Sequence, residues 1–266
     1  MELQLKGKVA IITGSSKGIG KAIAESLLLE GAKVVISARN VDELEDTAAM
    51  LRLQNADVLA VPADIAKGED LARLVRTTIE RFGRIDILVN NAGIIDTVGP
   101  VETITIDQWR RIFEVNLFGV VALTSLVIPY LQKQGGGRII NISSENAEQP
   151  DPMMAHYNAT KAALNNYSKT LSKAYGKDNI LVNTVSPAFI KTPMVDNMLE
   201  EIAKDKGITV EEAAKIFLKE NRPAQVLGRP GLATETAGIV AFLASTQASF
   251  ITGAVFRVDG GSVSTV

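Results

Sequence analysis

Tyr157 and Lys161 stand four residues apart in Tyr157-Asn158-Ala159-Thr160-Lys161, a spacing that puts both on one face of a helix. A phenol titrates near ~10 and is a poor base at neutral pH. A neighbouring ammonium stabilises the phenolate and lowers that value, so such a pair can exchange a proton with a substrate. The same spacing also arises on helices by chance, so its meaning depends on what stands nearby. Ser143-Ser144 comes thirteen to fourteen residues earlier, at the end of a strand-like apolar run, where a hydroxyl can meet the tyrosine across a cleft. Asn90-Asn91-Ala92-Gly93 ends another such run, and Asn116 lies in the helical stretch that follows. Ligands of open parallel sheets bind beyond the carboxyl ends of the strands, and these groups stand at such ends or on flanking helices.

A second constellation can hold an anion. Thr13-Gly14-Ser15-Ser16-Lys17-Gly18-Ile19-Gly20 joins a strand-like run to a helical one. Glycines let backbone amides approach a pyrophosphate, and the helix N-terminus adds free N–H groups and a favourable dipole. The spacing is G-x3-G-x-G rather than the common G-x-G-x-x-G, and its place between strand and helix is what separates it from a plain glycine-rich turn. At the end of the second strand, where an acid would bind a ribose 2′-hydroxyl, the chain reads Ser37-Ala38-Arg39-Asn40. A guanidinium suits a 2′-phosphate, with Lys17 as a second cation, so NADP(H) is favoured over NAD(H). The alternative is two solvated surface cations.

The elements that must position these groups follow from the hydrophobic pattern. Strands are predicted at Val9–Ile12, Lys33–Ser37, Val58–Val61, Asp86–Val89, Arg138–Ile142, Ile180–Val185 and Ala254–Val258. Helices are predicted at Ile19–Glu30, Val41–Leu53, Glu69–Phe82, Asp107–Leu131, Ala155–Tyr175 and Thr234–Ser245. Seven strands alternating with helices predict an α/β, Rossmann-like doubly wound parallel sheet with helices on both faces. One domain over residues 1–266 is the simplest account, because no linker or repeat divides the chain. Met194–Arg222 breaks the alternation and reads as two helices parted near Lys206-Gly207, a short helical substrate lid within residues 190–225. Met194, Met198, Ile202, Ile216 and Phe217 would give that lid an apolar wall; the alternative is a helical excursion packed on the core.

Composition narrows the chemistry. The 266 residues are 46% hydrophobic and 22% charged, with a net charge of -2, an ordinary balance for a soluble globular chain. No Lys/Arg-rich stretch suggests a nucleic-acid partner. The absence of cysteine excludes disulfides, thiolate metal sites and a cysteine nucleophile, and fits the cytoplasm; one histidine excludes a histidine-rich metal site. The N-terminus lacks a secretory signal pattern, and the apolar run near Gly119–Leu131 is shorter than the ~20 residues a membrane span needs.

TGSSKGIG, NNAG, the asparagine of VNLFG, ISS and YNATK stand in the order and at the spacings of one family. Over essentially its whole length the chain resembles the short-chain dehydrogenase/reductase superfamily, and its compact single-domain branch rather than the extended one. The resemblance implies that Tyr157 is the acid of reduction and the base of oxidation. It implies that Ser144 steadies the carbonyl oxygen, with Ser143 structural. Lys161 would bind the nicotinamide ribose and lower the Tyr157 pKa, and Asn116 would hold a relay water. Gly14, Ser16, Gly18, Ile19 and Gly20 would face the pyrophosphate, and Asn90, Asn91, Ala92 and Gly93 the adenosine side. Asp64, with Ile65, would contact adenine, although a helix-capping role is equally open for Asp64. Pro187, Ile190 and Thr192 would meet the nicotinamide amide, with Ala188 where the family has glycine.

Neighbouring residues read differently. His156 should point about 100° away from Tyr157 on the helix, favouring a role outside the chemistry over a substrate-rim or interface one. Trp109 reads as core or subunit contact, and Tyr167 and Tyr175 as packing. The substrate implied is a small-molecule carbonyl or alcohol. Similar proteins include 3-oxoacyl-(acyl-carrier-protein) reductases, but Met194–Arg222 carries five Lys or Arg against seven Asp or Glu, a poor docking face for an acidic carrier. A fairly apolar ketone is preferred. Catalytically idle alternatives are an NADP-binding regulator and a structural subunit. The small and apolar faces of the two long helices, with the C-terminal strand, suggest a homotetramer or homodimer.

Overall fold

Val9–Thr13 (β1) is buried along its whole length, which a strand achieves only when helices cover both faces of its sheet. The same logic shapes Lys33–Ser37 (β2), Ile87–Asn90 (β4), Gly137–Ile142 (β5) and Ile180–Pro187 (β6), while Val58–Ala60 (β3) at the sheet edge is only half-buried. Two short strands, Ile190–Lys191 (β7) and Gly231–Leu232 (β8), precede Val255–Val258 (β9). In the computed structural model, which describes residues 2–53 and 57–265, seven of these form one parallel sheet in the order β3-β2-β1-β4-β5-β6-β9. Met1 and Val266, the ends of the expected 1–266 unit, lie outside the described residues. The chain winds outward from β1 to β3, then crosses back to β4. That reversal opens a crevice above the carboxyl ends of β1 and β4, which run side by side with Ile12 opposite Val89.

Gly18–Leu29 (α1) and Val41–Arg52 (α2) cover one face; Gly68–Phe82 (α3) covers the other. The expected helix Asp107–Leu131 is three consecutive pieces: Ile106–Phe113 (α4), a π-helical turn at Glu114–Phe118, and Gly119–Lys133 (α5). Its 28 residues match a membrane span in length, yet Leu123, Val127 and Leu131 of α5 are fully buried in the core. Ala155–Tyr175 (α6) joins this layer.

Pro193–Lys206 (α7) and Val210–Asn221 (α8) make the expected pair, parted by Gly207 in left-handed conformation. The Thr209/Glu212 capping box at α8 is formed. Ala233–Ala244 (α9) packs on α1. Most other ends differ from expectation by a residue or two, where caps and ladders compete. Asp86, expected in a strand, stands just before β4: its backbone still bonds Val9 and Arg138, while its carboxylate accepts the Val9 amide and two Arg84 N–H groups. The ladder of β7 and β8 was not anticipated, being only two residues long.

Candidate active site

The glycine turn is built to be tight. A Cβ on Gly20 would stand 2.3 Å from the Gly14 carbonyl oxygen, so only glycine lets α1 start this close to β1. Asn91 braces the turn from β4: its Nδ2 donates to the carbonyls of Thr13 and Gly14 at 2.9 and 3.0 Å. The Thr13 hydroxyl in turn accepts the amides of Asn91 and Ala92. Gly18 is left-handed, and Ile19 packs partly buried against the core below. No side chain caps α1 and no acid stands in its first turn, which leaves its N–H groups available to an anion.

Above the turn lies a cleft of about 700 Å³. Gly14, Ser16, Lys17, Arg39, Asp64, Ile65, Asn91, Ala92 and Gly93 all line it, as the sequence implies. Arg39 is exposed and forms no ion pair among the described residues. Lys17 differs from expectation. Its ammonium pairs with Glu43 at 3.1 Å, and the Ser16 hydroxyl donates to the same carboxylate at 3.4 Å. The cause is the first turn of α2, where Asn40 caps the helix through the Glu43 amide and so aims Glu43 at the glycine turn. Asp64 lines the cleft, and its Oδ1 accepts the Ala66 amide at 3.1 Å in a turn ahead of α3; it does not cap that helix, whose N-cap is Lys67 with no side-chain hydrogen bond. Asn90 instead points into the sheet, donating to Thr124 and Asn141. An apolar-and-amide cleft with an uncapped helix end and an unpaired guanidinium fits the phosphoribosyl-adenine part of a nicotinamide dinucleotide.

At the other end of the crevice stand Ser144, Tyr157 and Lys161. Ser144 follows β5, and its Oγ accepts the Asn146 amide at 3.2 Å, leaving its own O–H free to donate. Ser143 donates to the Lys161 carbonyl at 3.3 Å, tying β5 to α6 as a structural residue should. Lys161 is 4% exposed, and its ammonium, 5.7 Å from the Tyr157 ring centre, donates to the Ile142 carbonyl at 2.9 Å. Burial pulls its pKa down to about 8.

The expected lowering of the Tyr157 pKa by Lys161 is not what the site's electrostatics give. Burial pushes the phenol above its usual value, the Ser144 hydroxyl pulls it down, and the Glu145 carboxylate pushes it up again. Lys161 gives an N–H to the Ile142 carbonyl and is not among these influences.

Asn116 sits in the π-helical turn. Its Oδ1 accepts the Ile94 amide at 2.8 Å and its Nδ2 donates to the Ile94 carbonyl at 3.0 Å. The widened turn lets this side chain reach inward, a use to which π-turns are often put. A Cβ on Gly93 would stand 3.4 Å from Asn116 Oδ1 and 3.6 Å from Lys161 Nζ, so both converge on Gly93.

Pro187 ends β6, Ile190 is buried, and Thr192 caps α7. Thr192 also reaches the glycine turn: its Cγ2 is 3.3 Å from where a Gly18 Cβ would be. Ala188 causes no strain, since the non-glycine residues with positive φ among those described are Gln4 and Asn179.

His156 is fully buried, with Nε2 3.2 Å from Asp96 Oδ1, and Trp109 packs 6.0 Å from its ring. It thus lies off the tyrosine's face, as helix geometry predicts. The lid departs from expectation: Met198, Ile202 and Phe217 pack into the lid's own core, where Phe217 stacks on Phe189 at 4.6 Å. Met194 is 59% exposed. Helices this short need their apolar faces for each other.

Residues 8–203 match the family model described as short chain dehydrogenase. The chain belongs to the short-chain dehydrogenase family. It is 40% identical to the uncharacterized oxidoreductase YvaG of Bacillus subtilis (strain 168), with both chains covered completely. Among solved structures, L-sorbose reductase from Gluconobacter frateurii, complexed with NADPH and L-sorbose, is 37% identical, covers 100% of both chains and superposes with a TM-score of 0.95. The 3-ketoacyl-(acyl-carrier-protein) reductase from Brucella melitensis, complexed with NADH, is 34% identical with a TM-score of 0.86, covering 98% of this chain and 100% of its own. This short-chain dehydrogenase is therefore an oxidoreductase with the family's parallel sheet.

Proposed function

We propose that the protein is an NADP(H)-dependent reductase and dehydrogenase interconverting a ketone or aldehyde and an alcohol, with Tyr157 as acid and base. The observation that carries this is the meeting of Ser144, Tyr157 and a buried Lys161 at the end of β5, in line with a phosphate-binding turn. Gly14, Ser16, Gly18, Ile19 and Gly20 would hold the pyrophosphate, and Asp64, Ile65, Asn91, Ala92 and Gly93 the adenosine. Arg39 would take the 2′-phosphate, and Lys161, Pro187, Ile190 and Thr192 the nicotinamide side. When bound, the cofactor supplies or accepts the hydride.

In reduction, Tyr157 gives its phenolic proton to the carbonyl oxygen. An ordinary phenol is already protonated at neutral pH, and burial raises its pKa further, so Tyr157 holds the proton it gives. The Ser144 O–H donates to the same oxygen and stabilises its developing charge. Lys161, titrating at about 8, can return a proton to the phenolate. Asn116 holds the Ile94 backbone and thereby Gly93 beside Lys161, and a relay water at Asn116 would link that lysine to solvent. In oxidation the same groups run in reverse, with Tyr157 as base.

NADP(H) over NAD(H) rests on Arg39 and the absent acid. Because the lid's apolar side chains face its own core, they lend no support to an apolar substrate. The acidic excess of Met194–Arg222 weighs against an acyl-carrier-protein substrate. A homotetramer or homodimer is supported by the exposed apolar residues of the long helix, Phe118, Leu126 and Tyr130, and by Phe250 near the edge strand β9. Following NADPH absorbance with ketones, aldehydes and 3-oxoacyl thioesters tests the reading. Tight NADPH binding without oxidation by any of them would favour an idle regulator.

A further inference from the structure

Directly after Ser144 the chain places a charge, Glu145, which is 2% exposed. Its Oε1 accepts the Nε–H of Arg222, the residue that ends lid helix α8. Its Oε2 is buried and has no hydrogen-bond partner among the described residues. Arg222 also stands 3.6 Å from Asp151 Oδ2 and donates to the Asn221 carbonyl at 2.7 Å. A buried ion pair is weak glue, because apolar side chains of equal volume often hold a fold as well or better. An ion pair that leaves one carboxylate oxygen unsatisfied is weaker still. Its placement is more telling, since it joins the lid to the residue beside Ser144, across 77 positions of sequence.

We propose that Glu145 and Arg222 are positioning residues for the acid/base step, coupling proton transfer at the Tyr157 phenol to the seating of the lid. This rests on the acid/base reading of Tyr157. Of the charged groups, Glu145 from the turn after β5 and Lys161 from α6 itself stand by the phenol; Glu145 in turn meets Arg222 from the lid, which also stands by Asp151 from the loop before α6. In a water-poor site a bare carboxylate holds a neighbouring phenol in its protonated form. Glu145 already acts on Tyr157 in that sense. With the lid seated, Arg222 offsets the carboxylate and eases release of the proton. With the lid lifted, Glu145 loses its partner and the proton stays on the phenol. Proton donation is thereby timed to substrate enclosure.

The test compares Glu145→Gln with Arg222→Met in the full chain. Tyr157 ionisation is read as the ultraviolet difference titration of each protein against the same background carrying Tyr157→Phe, which removes the signals of Tyr130, Tyr167 and Tyr175. Both substitutions break the same ion pair, yet the expected shifts have opposite sign. Glu145→Gln lowers the Tyr157 midpoint, Arg222→Met raises it, and the double variant lies between. The pH limb of kcat moves in the same directions, and Arg222→Lys restores it in part. Should Arg222→Met fail to fold by circular dichroism, Glu145→Gln and Arg222→Lys carry the test: the first must lower the midpoint and the second leave it near that of the parent. Shifts of one sign for both breakages, or no shift with Glu145→Gln, would overturn the proposal and leave a purely structural pair. The titration reports the phenol whatever its catalytic role, so failure of the acid/base reading appears separately, as turnover retained by Tyr157→Phe.

Discussion

Lys161 is a cation in a place that disfavours cations. Its folded pKa of about 8 lies below the usual lysine value of 10.5, so the unfolded chain binds the extra proton between those limits. Stability therefore rises with pH through that window, and below it the protein bears the full cost of the buried charge. Lys161→Met should raise the stability of the cofactor-free protein by on the order of 3 kcal/mol at neutral pH. That advantage should shrink as pH climbs past 8; thermal melting of both proteins from pH 7 to 10 checks it. A constant advantage would contradict the burial argument. At the cofactor end, Arg39→Asp should reduce the NADPH-over-NADH preference by on the order of ten- to a hundredfold, the worth of a charged hydrogen bond. Glu43→Gln should act oppositely and tighten NADPH several-fold, because it frees Lys17 and removes an anion from the cleft. Fluorescence titration with each cofactor separates the two effects.

At the scale of elements, Tyr157 and Lys161 were readable as one helix face because helical periodicity is local. So were the glycine turn, the break at Gly207 and the Thr209 capping box, each fixed by neighbours in sequence. The π-helical turn holding Asn116 was not, because Glu114-Val115-Asn116-Leu117-Phe118 continues an ordinary helical pattern and the extra residue shows only in the hydrogen bonds. Glu43 on Lys17 and Arg222 on Glu145 lie 26 and 77 residues apart, beyond any local signal. A hint of the second existed: a charge within three residues of a buried strand end is costly unless paired. The lid was legible as two helices but not in which way its apolar faces turn. Phe217→Ala removes the stack on Phe189 and should loosen α7 and α8 by on the order of 2 kcal/mol. Faster amide exchange confined to residues 193–222, with KM rising more than kcat falls, is the expected result. Exchange that spreads to the sheet would show that the lid is not a separate cooperative unit.

Across the whole molecule, the winding of the chain places the chemistry. Because the strand order reverses between β1 and β4, the glycine turn, Asn91 and the Ser144 loop all open on one edge of the sheet. Alternation of strands and helices made this architecture legible from the sequence, since burial of both sheet faces forces continuous apolar runs. What lies beyond one chain depends on the outer faces. Phe250 is fully exposed and Val255 is 41% exposed on the edge strand, beside a separate apolar face on the long helix. Two such faces suit a tetramer built on two axes. Light scattering should give a mass of four chains, or of two if one face stays free; a single-chain mass would contradict both.

The central claim is that Tyr157 moves the proton in an NADP(H)-linked exchange between carbonyl and alcohol. The most direct measurement is turnover by Tyr157→Phe beside the parent protein, on a carbonyl the parent reduces, with NADPH binding followed in parallel. Turnover should fall by on the order of a hundredfold or more, with NADPH affinity retained. Undiminished turnover with intact NADPH binding would contradict it.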